Sequence, residues 1–321
     1  MGHTGIHHVS VIGGDGKEAY EFYHKILGLK LVMKTVNQDE NNMYHLFFGD
    51  ETGREGTEFT LFEMKGTPKN QFGTNAIERT MFLVKSREAL DYWMERLDSF
   101  EVEHYGIEKY GKDTMLRFED FDGQRLGFVY PDHELSDLNP YKAPDIPEEF
   151  LIQGIAQVHL RVRYPEATAY LLENYFQFEK GGTYNLLHLP VTCFKAPNNK
   201  FAQEIHVIED KTSPIQRLGV GGIHHVAFGV TEMSDLYKLV DTLNEHNMVN
   251  SGIKNREFMQ SVYFREPNYN LFEVATPIVK EEGMLPEQDL EWEQQPLFLP
   301  DFLEYKRESI EECLERGEET I

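Results

Sequence analysis

The tripeptide Ile-His-His occurs twice in this chain, in the same local grammar each time. Gly5-Ile6-His7-His8-Val9-Ser10-Val11 opens the first copy and Gly222-Ile223-His224-His225-Val226-Ala227-Phe228 the second. Each apolar run reads as a strand, and each is followed by a polar turn and a helix-like stretch. A repeat of this kind restricts the fold more than any local propensity does, because a small supersecondary unit buries little apolar surface alone and must stack on its copies. The second copy ends in Asn270-Leu271-Phe272-Glu273-Val274-Ala275, an apolar strand that carries one carboxylate. Two histidines and one glutamate on separate strands form the donor set of a facial-triad iron site with open positions. Neighbours in a strand face opposite sides, so only one histidine of each pair should face such a metal.

Four units of similar grammar follow one another. The first runs from Gly5 to about Lys65, with a strand at 6–12, an amphipathic helix at 17–27 stopped by Gly28, and strands at 30–36, 43–48 and 58–64. Glycine directly after the last periodic residue is the expected helix stop. The second spans about 76–130 with a helix at 88–97, the third 155–207 with a helix at 165–175, and the fourth 222–276 with a helix at 234–246. This predicts an α+β fold of four βαβββ modules paired into two domains of curved mixed sheets around a cavity. The expected division is 1–130, a Pro-rich acidic linker at 131–150, 151–280, and an acidic tail at 281–321 with a final helix near 300–316.

The charge narrows the partners. Thirty-one basic against 55 acidic residues leave −24, a field that repels nucleic acid and anionic membranes. No run of about eighteen apolar residues occurs, so no membrane span is expected, and the N-terminal stretch lacks the blocks of a signal peptide. The expected location is therefore cytoplasmic. The two cysteines, Cys193 and Cys313, make no disulfide framework and read as unpaired thiols. A homo-oligomer is compatible with this composition.

The cassette His8…Glu21-Phe22-Tyr23…Leu27-Gly28-Leu29 and the ending Arg265-Glu266-Pro267…Leu271-Phe272-Glu273 resemble the vicinal oxygen chelate superfamily, which includes glyoxalase I, fosfomycin-resistance proteins and extradiol dioxygenases. Lys34-Thr35-Val36-Asn37, Tyr44-His45-Leu46 and the twin Ile-His-His cassettes are similar more narrowly to the hydroquinone ring-cleaving dioxygenase group. The resemblance implies that the first and last units build one metal site from His8, His225 and Glu273. His8 precedes Phe22 by the superfamily's ligand interval, and His225 follows from the parallel cassette. Gln157 and Gly127 stand at ligand places in the middle units, so a second complete site is not expected. The same resemblance puts His7, His224, Tyr263 and Arg256 near the substrate as catalytic groups, and Ser10 in a substrate-binding place where the family pattern has Thr. Strict strand alternation argues against His7 and His224 reaching that place.

Glu63, in Leu61-Phe62-Glu63-Met64, parallels the Glu273 segment. In glyoxalase I the corresponding carboxylate completes a two-His, two-Glu site, so Glu63 is a candidate fourth ligand. His45 and His159 read as core histidines. The expected activity is Fe(II)-dependent extradiol-type cleavage of a hydroquinone or related dihydroxybenzene by O2, with Mn(II) or another divalent metal accepted by the same donors and no organic cofactor. The alternatives are a glyoxalase-like isomerase or thiol transferase, for which Glu63 would bind metal, and a quinone- or drug-sequestering protein.

Overall fold

The computed structural model describes residues 2–197, 201–256, 258–279 and 290–316. Much of the expected tail, 281–289 and 317–321, lies outside them. In chain order the first module holds β1 (His3–Gly13), α1 (Gly16–Tyr20), β2 (Lys30–Val36), β3 (Tyr44–Gly49) and β4 (Glu58–Glu63). The second holds β5 (Ala76–Leu83), α2 (Arg87–Ser99), β6 (His104–Tyr110), β7 (Asp113–Glu119) and β8 (Arg125–Val129). The third holds β9 (Gly154–Val162), α3 (Pro165–Asn174), β10 (Glu179–Leu186), β11 (Leu189–Lys195) and β12 (Glu204–Glu209). The fourth holds β13 (Gly222–Val230), α4 (Met233–Glu245), β14 (Asn250–Asn255), β15 (Gln260–Arg265) and β16 (Leu271–Ala275). Two short helices follow, α5 (Asp301–Glu304) and α6 (Arg307–Arg316).

The strands form two eight-stranded mixed sheets, β14-β15-β16-β13-β1-β4-β3-β2 and β10-β11-β12-β9-β5-β8-β7-β6. Each sheet therefore draws one module from residues 1–130 and one from residues 151–280, and the sheets do not coincide with that division of the chain. Each module's first strand is an apolar run buried on both faces, and it finds its antiparallel partner in another module's first strand: β1 on β13, β5 on β9. The connectors between modules one and two and between modules three and four run side by side, bridged at Lys69–Val220, Gln71–Arg217 and Thr74–Ile215.

The first helix is local chemistry made visible. Asp15 accepts from the backbone N–H groups of Lys17 and Glu18, which are otherwise unpaired donors of the first turn. Beyond Tyr20 the coil continues as a π-turn, Glu21–Ile26, and buries Phe22, Tyr23 and Ile26. Gly28 ends it at φ +66, where a Cβ would lie 2.5 Å from Ile146 and 2.9 Å from Ala143. That collision shows the linker packed rather than loose: Tyr141, Ala143 and Ile146 are all buried against this helix end. The tail helices close another satellite core, where Leu299, Leu303, Ile310 and Leu314 cover Val36 of β2.

Both central ladders are bulged at the same places. On β1, Ile6 faces Phe228 and His8 faces the next residue, Ala227, so His7 is an extra residue. On β13 the extra residue is His224, between the pairs Ser10–His225 and Val11–Ile223. In the second sheet Glu78 and Ala156 are the corresponding insertions. A bulge breaks the two-residue alternation and re-aims the side chains on either side of it.

Candidate metal centre

The register of the first sheet brings three donors together. His8 lies on β1, His225 on β13, and Glu273 on β16 opposite Ala227. The Nε2 atoms of His8 and His225 are 3.2 Å apart, and they lie 3.1 and 2.9 Å from Oε2 of Glu273. Glu273 is completely buried, yet neither of its oxygens has a partner of hydrogen-bonding geometry among the described residues. Leaving a buried carboxylate unpaired is costly, so three converging donors with an orphaned carboxylate fit a divalent cation. Burial alone would raise the Glu273 pKa, but His8 and His225 hold it well below the usual carboxylate range.

The bulges decide what stands behind the two histidines. His7 Nδ1 is 2.9 Å from His8 Nδ1, and His224 Nδ1 is 2.7 Å from His225 Nδ1. Burial first, then the neighbouring histidine, lowers both His7 and His224 to about 3, so both rings are neutral. His7 Nε2 meets the carbonyl oxygen of Thr276 at 3.2 Å and must donate to it. Its Nδ1 is then an acceptor, His8 Nδ1 carries the proton, and His8 Nε2 presents a lone pair toward Glu273. An outer hydrogen bond that sets the tautomer of a ligand histidine is the usual support of a metal site. His7, expected near the substrate, is thus fully buried behind His8 and lines no part of the cavity. His224 is half-buried and does line it.

The cavity in front of the three donors has a volume of about 360 Å³. Phe47, Phe62, Phe258 and Met259 form apolar walls, and Ser10, His45, His224, Arg256 and Tyr263 supply polar ones. Tyr263 pairs across the ladder with Glu273, and its ring stands 5.7 Å from that of His225. Burial, then the Glu273 charge, push its hydroxyl above the ordinary phenol range, so it remains a neutral donor. The Arg256 guanidinium lies 5.5 Å from the Tyr263 ring and pairs with Asp39 at 2.9 Å. Ser10 Oγ is 2.6 Å from Thr60 Oγ1, which is 3.2 Å from His45 Nε2.

Two expectations change. Glu273 faces the residue two places after His225. Two places after His8 is Ser10, whose partner on β4 is Thr60. Thr60 therefore holds the place equivalent to Glu273, and Glu63, three residues on, points to the other face. There Glu63 Oε1 accepts from the Gly16 N–H at 2.8 Å and Oε2 lies 3.4 Å from Lys65 Nζ, so it is not a fourth ligand. His45, read as core, lines the cavity instead. The signal was its alternation with buried Leu46 and Phe48. His159 is a core histidine, stacked on His206 at 4.9 Å and 3.1 Å from Gln157 Oε1.

The equivalent positions in the second sheet are differently filled, with Gln157, Arg79 and Gly127 in place of the His8, His225 and Glu273 types. Cys193, Glu204 and His206 do cluster there. Their polar atoms are already engaged: His206 by Tyr184 at 2.9 Å and Glu204 at 2.8 Å, and Glu204 also by Lys112 at 2.8 Å. No orphaned carboxylate asks for an ion at that place. Neither cysteine forms a disulfide, and no described helix is long and apolar enough to cross a membrane.

Residues 5–128 match the model of the Glyoxalase/Bleomycin resistance protein/Dioxygenase superfamily. A Bacillus subtilis (strain 168) protein named as a ring-cleaving dioxygenase, MhqA, is 39% identical over 316 residues, covering 96% of this chain and 97% of that one. A chlorohydroquinone/hydroquinone 1,2-dioxygenase of Sphingobium indicum is 25% identical over 85% of each chain. A crystal structure of a protein named as a dioxygenase from Bacillus subtilis superposes with a TM-score of 0.87 at 27% identity, covering 98% of this chain and 97% of that one. With a 39% identical relative matched along nearly its whole length, the chain belongs to the glyoxalase/bleomycin resistance protein/dioxygenase superfamily.

Proposed function

We propose that the protein is an Fe(II)-dependent ring-cleaving dioxygenase of the extradiol type, acting on a hydroquinone or related dihydroxybenzene. The observation that carries this reading is the unpartnered Glu273 carboxylate facing His8 and His225 at the floor of an aromatic-walled cavity. The names of the MhqA and Sphingobium relatives support the substrate class. His8, His225 and Glu273 would hold the metal, and three ligands of this type leave open positions. A bound Fe(II) would supply electron transfer between the aromatic substrate and dioxygen.

The protein's own residues do the rest. His7 keeps a proton on Nδ1 of His8, so that Nε2 lone pair stays free for ligation, and His224 stands behind His225 Nδ1 in the same way. Phe47, Phe62 and Phe258 exclude water and give a planar ring flat surfaces to pack on. Tyr263, a neutral hydroxyl beside Glu273, can donate to a substrate oxygen as negative charge develops there. Arg256 supplies positive charge at the same wall. Thr60, in the place where a second glutamate would sit, is too short to close that side of the metal, and the isomerase reading loses its fourth ligand.

The test is oxygen uptake by anaerobically Fe(II)-reconstituted protein given hydroquinone or methylhydroquinone, with metal content measured on the same sample. One O2 consumed per ring opened, with both oxygen atoms in the product, is expected. No uptake by protein holding one iron per chain would overturn the proposal.

A further inference from the structure

The first sheet's concave face is asymmetric about the β1–β13 ladder. On the module-four side it presents Glu273 and Tyr263; on the module-one side the register presents Thr60 and Phe47 at the equivalent places. The metal-binding carboxylate therefore occupies one half, and the open half ends at His45. That ring is held rather than free to turn: it stacks on Phe62 at 4.1 Å and packs on Phe47 at 4.2 Å, and Nε2 meets Thr60 Oγ1 at 3.2 Å. Thr60 is anchored in turn by Ser10 at 2.6 Å. The other nitrogen, Nδ1, has no partner among the described residues, and the ring lines the cavity.

We propose that His45 Nδ1 recognises the substrate's second ring hydroxyl, the one not held at the metal, and selects 1,4-dihydroxybenzenes over phenols and 1,2-dihydroxybenzenes. This rests on the dioxygenase reading above. β3 lies two strands from β1, about 10 Å laterally, so His45 faces the donors from across the cavity. A hydroxyl ortho to the metal-bound oxygen stays beside the metal; one across the ring extends toward β3. The direction of the Ser10–Thr60–His45 chain is immaterial to the pairing. A hydroxyl both donates and accepts, so it can pair with Nδ1 in either tautomer. Burial and the nearby His8 and His225 keep the imidazole neutral, which suits a neutral phenol better than a phenolate.

The experiment is calorimetric titration of Zn(II)-loaded protein, which binds rings without turning them over, with hydroquinone, phenol and catechol. Wild type should prefer hydroquinone to phenol by about tenfold, the effect of one hydrogen bond whose loss leaves a buried partner unpaired. His45→Phe keeps the stacked ring and one metal per chain, loses that tenfold preference, and leaves phenol and catechol affinities within about twofold. His45→Gln, which restores a polar group, should recover part of the preference and provides the reading should His45→Phe fold poorly. A hydroquinone preference that persists in both variants overturns the inference alone. An equal fall for all three rings does so too, by assigning His45 a packing role. Wild-type protein that takes up zinc but binds none of the rings overturns the dioxygenase reading, and the inference with it.

Discussion

Replacing His7 with leucine separates the two roles open to a histidine next to a metal ligand. In wild type the buried His8 Nδ1–H donates to His7 Nδ1 at 2.9 Å. His7→Leu removes that acceptor, and an unsatisfied buried donor costs about 1–3 kcal/mol. The His8 ring escapes the cost by moving its proton to Nε2, the atom required for ligation. Either way the ligating form loses free energy, and metal affinity should fall about 10- to 100-fold, the range seen for such outer partners. With metal present at about a thousand times the wild-type Kd, binding stabilises the fold by about 4 kcal/mol. A 10- to 100-fold weaker variant keeps about 2.7 to 1.4 kcal/mol of this. The assay is the difference in urea unfolding free energy with and without Zn(II). Damage from leaving the Thr276 carbonyl unpaired cancels in that difference. His7→Gln, which retains an acceptor and a donor, should restore most of the affinity. Unchanged metal affinity together with a weakened hydroquinone KM at saturating metal would refute the argument and return His7 to the substrate.

Glu63→Gln should leave metal stoichiometry and ring binding intact and change urea stability by less than about 1 kcal/mol, because the amide oxygen still accepts from the Gly16 N–H; loss of metal would reinstate it as a ligand. Tyr263→Phe should retain one metal per chain but lower kcat by about two to three orders of magnitude, the size of removing one donor at a developing oxyanion; an unchanged kcat sinks that role. Burial raises the Asp120 carboxyl to about 6, against hydrogen bonds from Tyr23 at 2.6 Å and from backbone N–H groups. Because the folded pKa lies above the ordinary value, Asp120 contributes stability below pH 4 that is lost as the pH rises through 6, up to about 3 kcal/mol. The urea midpoint of wild type should fall across this window more than that of Asp120→Asn, and parallel curves would show the carboxyl to be already ionised in the fold.

Much of this architecture was legible in the chain because each module repeats its own hydrophobic period. The four module helices and strands β2, β3 and β4 lie within a residue or two of where the apolar spacing put them, and β1 begins three residues earlier than expected. The convergence of His8, His225 and Glu273 was legible because the two cassettes carry their histidines at matching offsets. The errors share one cause, a register that no local pattern records. The repeated Leu-Phe-Glu string made Glu63 look like the partner of Glu273, while the ladders pair Glu273 with Ala227 and Thr60 with Ser10. Strict alternation argued against His7 and His224 reaching the substrate; His7 does lie behind His8, but His224 lines the cavity, because one inserted residue in an apolar strand leaves no mark on composition. His45 was read as core because a histidine between a tyrosine and a leucine looks the same whether its face meets a cavity or a helix. The division at 131–150 put modules one and two in one domain and three and four in the other, and did not fix which modules share a sheet, for a similar reason. Each first strand is apolar on both sides and suits any of the others.

The division of the donor set between the two ends of the chain has a consequence for biosynthesis. His8 and His225 are 217 residues apart, and Glu273 follows later still. No nascent chain shorter than Glu273 carries all three ligands, and none can bring them together until β13 has been released to pair with β1. A ribosome-bound fragment therefore offers a divalent cation no complete donor set, and the three donors meet only in a protein whose cavity already has its walls.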